Sequence, residues 1–193
     1  MLLFWRQGYA ATSIADLTEA MGISPPSLYA AFGDKERLFL EALDRYQGDV
    51  LSSAALIMAQ APTARAAVEA VLRATADRLT RPDLPRGCMT VTSAMNCGEE
   101  FSHLAEELAR RRKASLQRLC DRLDQALAEG ELPAGTNTSA LATFYQTMAQ
   151  GMTIQARDGA SRDELLATVK AAMRAWPGEN EVHHDPEPAD AVG

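Results

Sequence analysis

The sequence predicts an all-α protein, with a small helical head at the N-terminus and a larger helical body. Hydrophobic residues make up 47% of the 193-residue chain, whereas aromatic residues make up only 6%. Ala and Leu are frequent, and few segments show the alternation of β-branched and polar residues that is typical of strands. Gly and Pro divide the chain into about nine segments of helical periodicity.

The first 46 residues carry the clearest local signals. Gly8 is expected to end a first short helix, because glycine favours the position just past a helix end. Ser13 is a predicted N-cap with Asp16 three residues later, and Ser24 is a second N-cap followed by proline at the first helical position. The remaining predicted ends are Gly22, Gly33 and Asp34, the last of which begins a fourth helix that reaches about Met58.

The body is predicted from residue 47 to 176, and the segment 177–193 is expected to be a disordered acidic tail. The predicted body helices span about 63–80, 87–97, 99–129, 139–156 and 161–176. The net charge is −7, and five acidic residues lie in the last 17 residues. The head itself has a net charge of −2, so charge alone gives little support for a nucleic-acid binder.

Several function classes are disfavoured by the motifs that are missing from the sequence. We find no apolar run of 18 residues and no secretion signal, so we expect a cytoplasmic protein without a membrane partner. The 3 cysteines have neither disulfide-framework nor zinc spacing. No nucleophile elbow, phosphate loop or carboxylate pair appears. The sequence therefore predicts no enzyme, no cofactor and no metal site.

Residues 14–31 have the spacing of a helix-turn-helix: about eight helical residues, a glycine-containing turn and a capped second helix. The residues themselves resemble the TetR/AcrR family of bacterial repressors over roughly the first 45 positions. The segments that carry this resemblance are Gly8–Ile14, Met21–Ser24, Ser27–Tyr29, Phe32–Gly33, Lys35–Glu36 and Leu38–Phe39.

The resemblance implies a dimeric regulator, most often a repressor, that binds a palindromic double-stranded DNA operator. It places the third helix in the major groove and assigns phosphate contacts to Tyr29 and Lys35. The full set of expected DNA-binding residues is Thr12, Ser13, Ser24, Pro26, Ser27, Tyr29 and Lys35. No basic residue lies near Pro26, and Ala30 and Ala31 are short, so fewer base contacts are available than in many members. Members also begin one to two dozen residues earlier, so we expect either an upstream extension or a shortened first helix.

The resemblance also implies a dimer interface on the last two helices and an effector cavity in the body. The expected interface residues are Leu141, Tyr145, Met148, Met152, Leu165, Val169, Met173 and Trp176. The alternative is that these stripes face the protomer's own core. A largely apolar small-molecule effector is expected to contact Cys88, Met89, Thr92, Met95, Leu108, Arg112 and Phe144.

Two other functions stay open at the level of sequence. One is a regulator that senses electrophiles or oxidants through Cys88, which lies at the start of a predicted helix where the dipole favours thiolate. The other is a helical dimer that binds a ligand or protein but no longer binds DNA. The shortened first helix and the acidic head motivate this second alternative.

Overall fold

The computed structural model describes residues 1–95 and 99–178, apart from the side chains of Ala94 and Met95. Within this part of the chain there are nine α-helices, one short 3-10 turn and no strand, which confirms the all-α prediction. The helices are α1 (Leu2–Gln7), α2 (Ile14–Met21), α3 (Pro25–Phe32), α4 (Lys35–Gln60), α5 (Ala64–Leu79), α6 (Met89–Met95), α7 (Ser102–Ala128), α8 (Thr138–Arg157) and α9 (Arg162–Met173).

The predicted helix caps of the head are present. The Ser13 hydroxyl accepts a hydrogen bond from the Asp16 backbone N–H at 3.1 Å, and the Asp16 carboxylate accepts one from the Ser13 N–H at 2.9 Å. That reciprocal bond lowers the pKa of Asp16. Ser24 caps α3 and the Asp34 carboxylate caps α4, so three consecutive helices begin at the residues that local sequence indicates.

The head is built around aromatic side chains from α1 and α4. Phe4 and Phe39 are fully buried and meet edge to face, with ring centroids 5.2 Å apart. Body residues complete this core: Met89 of α6 and Leu104 and Leu108 of α7 pack into the same cluster. The predicted boundary after residue 46 lies within α4, which runs without interruption from the head into the body.

The body has its own core between α5, α7, α8 and α9. Its largest fully buried side chains include Leu79, Leu123, Tyr145, Met152 and Leu165. Burying such side chains contributes about 1.5–3 kcal/mol each relative to solvent exposure, so this core is a main source of the body's stability.

Polar contacts also tie the head to the body. The indole N–H of Trp5 donates to the Gly87 carbonyl at 3.0 Å, and both residues are buried. Arg111 of α7 forms an ion pair with Asp44 of α4 at 2.6 Å. Residues 179–193, which hold most of the predicted tail, lie outside the described part of the chain. None of the described helices is long and apolar enough to cross a membrane.

Candidate DNA-binding head and internal cavity

Helices α2 and α3 form the predicted helix-turn-helix. Gly22 adopts a φ of 65° at the end of α2, and its N–H and that of Ile23 bond to carbonyls in the last turn of α2. This left-handed conformation is accessible to glycine at little cost and redirects the chain into α3. Leu17 and Leu28 are buried between the helices, whereas Met21 is 41% exposed.

Most of the predicted DNA-binding residues lie on the surface of this unit. Ser13, Ser24, Pro26 and Ser27 are exposed, as is Tyr29 at 47%. The hydroxyls of Ser24 and Ser27 lie 2.9 Å apart at the start of α3. An N-terminal helix end with free N–H groups and hydroxyls is suited to phosphate oxygens and base edges. The individual DNA contacts remain predictions.

Two of the predicted DNA-binding residues are less exposed than the others. Thr12 is fully buried, and its hydroxyl donates to the Gly8 carbonyl at 2.7 Å, so its side chain supports the turn before α2 rather than facing a DNA backbone. Lys35 is half-buried, with its Nζ 4.2 Å from the centroid of the Tyr9 ring. Desolvation lowers the pKa of Lys35. The Lys35 side chain therefore packs against the Tyr9 ring and remains partly exposed to solvent.

A cavity of about 400 Å³, partly open to solvent, lies in the body. The second half of α4 lines one side with Val50, Leu51 and Ala54, and α5, α7 and α8 line the others. Tyr46 lies in the wall, and burial raises its pKa, as does its interaction with Cys88. A cavity of this volume, with mostly apolar walls and a few polar groups, has the size and character of a small-molecule site.

Of the residues predicted to contact an effector, two line this cavity and several others lie elsewhere. Cys88 and Arg112 line the cavity. Met89 and Leu108 are fully buried in the head core instead, because α6 and the start of α7 cover α1 and α4. Phe144 lies on the outer face of α8 and is 38% exposed.

The last two predicted pocket residues give no support to the assignment. The Thr92 hydroxyl donates to the carbonyl of Cys88, which directly precedes α6, at 2.9 Å, and the side chain is buried outside the cavity lining. The side chain of Met95 lies outside the described residues.

The cavity also contains residues that the sequence did not reveal. Arg78 of α5 lies with its guanidinium carbon 5.6 Å from the Tyr46 ring centroid and donates a hydrogen bond to the Tyr46 hydroxyl. Gln146 of α8 donates to the backbone carbonyl of Arg112 at 2.9 Å. The only sequence signal for these cavity residues was a polar side chain on an otherwise apolar helix face. Polar side chains are equally typical of positions that face solvent, so this signal does not identify a cavity.

The predicted dimer-interface stripe is mostly wrong, because it packs within the protomer. Of the eight residues, seven are at most 9% exposed: Leu141, Tyr145, Met152, Leu165, Val169, Met173 and Trp176. They belong to the body core, where α8 and α9 pack against α5. The alternative, that the stripes face their own core, is therefore correct for these residues.

A second, narrower apolar face of α8 remains uncovered. Phe144 is exposed, Met148 is half-buried, and Gly151 and Gln155 continue the same face at helical spacing. Between this face and α9 runs a groove of about 470 Å³, lined by Met148, Gly151 and Leu165 among others. Met148 is the one predicted interface residue that contributes substantially to this surface.

Comparison with known proteins agrees with the geometry of both parts. Residues 1–42 match the family model described as bacterial regulatory proteins, tetR family, and residues 64–172 match the tetracyclin repressor-like C-terminal domain. The HTH-type transcriptional repressor ComR of Escherichia coli (strain K12) is 35% identical over 92% of this chain and 85% of its own length. BdcR, another HTH-type transcriptional repressor of the same strain, is 30% identical over 90% and 83%.

A solved structure extends the similarity to the fold. A cysteine-substituted form of the TetR family transcriptional regulator CifR, complexed with 26-bp double-strand operator DNA, has a TM-score of 0.88 and 43% identity. The match covers 91% of this chain and 92% of that one. These relatives are regulators and not enzymes, which confirms the prediction of a non-enzymatic protein. On the matches to both domain models and on these identities, the chain belongs to the tetR family of bacterial regulatory proteins.

Proposed function

We propose that the protein is a cytoplasmic transcriptional repressor that binds a palindromic operator as a homodimer and is released by a small-molecule effector. In this proposal residues 1–46 read DNA, and residues 47–176 hold the effector and the dimer interface. The similarity to ComR and BdcR, both named repressors, supports the sign of regulation. The operator complex of CifR supports the nature of the partner.

The observation that carries the effector part is the continuity of α4. This helix has 26 residues and begins at Lys35 in the head, directly after the predicted recognition helix α3. Its second half forms a wall of the cavity. A rigid element shared by two sites allows a ligand that displaces the wall to move the head. The coupling between effector and operator is typically about 1–3 kcal/mol, and it must be reciprocal.

The dimer part rests on the uncovered face of α8. A twofold pairing of Phe144, Met148 and Gly151 with the same residues of a second copy would remove this apolar surface from water. Gly151 has no atom within 4 Å of the position of a Cβ, which leaves room for close approach of a partner helix.

A mobility-shift titration on the DNA upstream of the gene tests the DNA-binding proposal. Lys35→Ala is expected to weaken binding to operator and to unrelated DNA by a similar factor, because a phosphate contact carries no sequence information. Ser27→Ala is expected instead to change the preference between operator variants by about 1–3 kcal/mol at the contacted base pair.

Lys170→Ala supplies the matched control, since it removes the same charge from an exposed position on α9, far along the chain from the head. We expect operator affinity within twofold of the parent protein. A parent protein that binds the upstream DNA no better than unrelated DNA, at several salt concentrations, would contradict the proposed function.

A further inference from the structure

The charge of the cavity wall is opposite to that of the whole protein. The chain has a net charge of −7. The cavity is nevertheless lined by four arginines, Arg78, Arg111, Arg112 and Arg118, and its described lining contains no Asp or Glu. An acidic protein thus gathers cationic groups around a largely apolar space that is partly open to solvent.

Only one of the four arginines has its charge matched by carboxylates within the described chain. Arg111 is 12% exposed and forms ion pairs at 2.6 Å with both Asp44 and Glu107. Arg112 instead donates to a neutral partner, the Thr90 carbonyl, at 3.2 Å. Among the described ion pairs, Arg112 and Arg78 have none.

Arg78 is engaged with Tyr46 through its ring and hydroxyl, which are likewise neutral. Both Arg78 and Arg112 are half-buried. A guanidinium has five N–H donors in a planar fork, so each of these side chains retains donors and charge for a carboxylate-like group. Removing a cation from water without a counter-ion is unfavourable, and an anion entering the cavity would offset that cost.

We propose that the effector is an organic anion, with its anionic group at Arg112 and Arg78 and an apolar body along α4 and α5. Val50, Leu51, Val68 and Leu72 supply the surface for the apolar body. The inference rests on the proposed function, because it specifies the ligand class of the same effector site. It replaces the sequence-based expectation of a largely apolar effector with an amphipathic one.

Isothermal titration calorimetry of the full chain with three probes of equal chain length tests the ligand class. Decanoate, 1-decanol and decylammonium share an apolar body and differ in charge. We expect decanoate to bind about tenfold or more tightly than decanol, as expected for a charge-assisted hydrogen bond, and decylammonium to bind weakest. Arg112→Gln is expected to remove most of the preference for decanoate while leaving decanol affinity within twofold.

Arg110→Gln is the matched control, because it removes the same charge two residues away on α7 from a side chain that is 69% exposed and outside the cavity lining. It is expected to leave the affinity for all three probes within twofold. Thermal unfolding of each variant establishes that the fold is retained. Arg78→Gln provides a second, independent test of the anion site.

The outcomes separate the two proposals. Equal binding of decanol and decanoate, or no binding of decanoate, overturns the anion site. Binding of decanoate that depends on Arg112 supports it, even if decanoate fails to release operator DNA in a mobility-shift assay. That failure would count against effector release as proposed above, and it would leave the anion site standing.

Discussion

Replacing Trp5 by Phe tests the junction between head and body. The Trp5 indole is 2% exposed, its N–H donates to the buried Gly87 carbonyl, and its ring meets Tyr46 edge to face at 4.8 Å. Phe retains an aromatic ring but leaves the carbonyl without this donor. An unsatisfied buried acceptor costs about 1–3 kcal/mol, and the lost ring volume adds to that. We therefore expect a loss of about 2–3 kcal/mol in the free energy of unfolding, a large share of the stability of a typical domain.

The loss is measurable by urea denaturation and by thermal unfolding, where about 2–3 kcal/mol lowers Tm by roughly 4–12 °C for a chain of this size. Leu2→Ala is the control on the same helix, because Leu2 is 40% exposed and makes a smaller contribution. If Trp5→Phe costs no more stability than Leu2→Ala, the hydrogen bond does not anchor the head.

Three further predictions concern the helix-turn-helix, an ion-pair network and the exposed face of α8. Gly22→Ala should cost about 1–2 kcal/mol in the free energy of unfolding. The cost comes from the φ of 65° alone, because an added Cβ meets no atom within 4 Å. Gly22→Asn should cost less, and equal stabilities of the parent protein and both variants would exclude backbone strain at this position. Glu107→Gln should cost about 1 kcal/mol at pH 7. Hydrogen bonds from Arg110 and then Arg111 lower the pKa of Glu107 from 4.5 to about 2. The stabilisation by the Glu107 carboxylate is therefore present above pH 4.5 and is lost as the pH falls towards 2. If the parent protein and Glu107→Gln still differ in stability near pH 2, the ion pairs of Glu107 are not the source of the difference. Phe144→Asp should convert a dimer into a monomer by light scattering, whereas Leu56→Asp, at a position 62% exposed, should leave the mass unchanged; two unchanged masses would exclude this face as the interface.

The features that the sequence predicted correctly are those determined within one or two helical turns. The caps at Ser13, Ser24 and Asp34 depend on a side chain and a backbone N–H three residues later, so they can be predicted without knowledge of distant contacts. The turn at Gly22 is determined in the same way. Family resemblance added the order of the helices and the role of the head, which periodicity alone does not supply.

The errors arise where a correct apolar pattern has several possible partners. Tyr145 and Phe144 are adjacent on α8, yet Tyr145 is buried in the body core and Phe144 faces outward. Sequence identifies both as apolar, but which of them meets the protomer's own core depends on the rotation of α8 against α5 and α9. Met89 was misassigned for the same reason, because the packing of α6 against α1 is a contact between segments about 80 residues apart.

The acidic composition of the head is a poor guide to its electrostatics, and the structure shows why. The carboxylates of Asp16 and Asp34 accept hydrogen bonds from the N–H groups of Ser13 and Arg37 at 2.9 and 2.8 Å, where they cap the starts of α2 and α4.

Two further carboxylates of the head contact basic side chains of the body. Asp44 lies 2.6 Å from Arg111, and Glu36 lies 2.9 Å from His103. A count over residues 1–46 includes these acids but omits the body residues that offset them. The N-termini of α2 and α3 add partial positive charge that no residue count records. Affinity for phosphate in this head therefore depends on where its few cations and N–H groups lie, and a net charge of −2 is compatible with a DNA-binding surface.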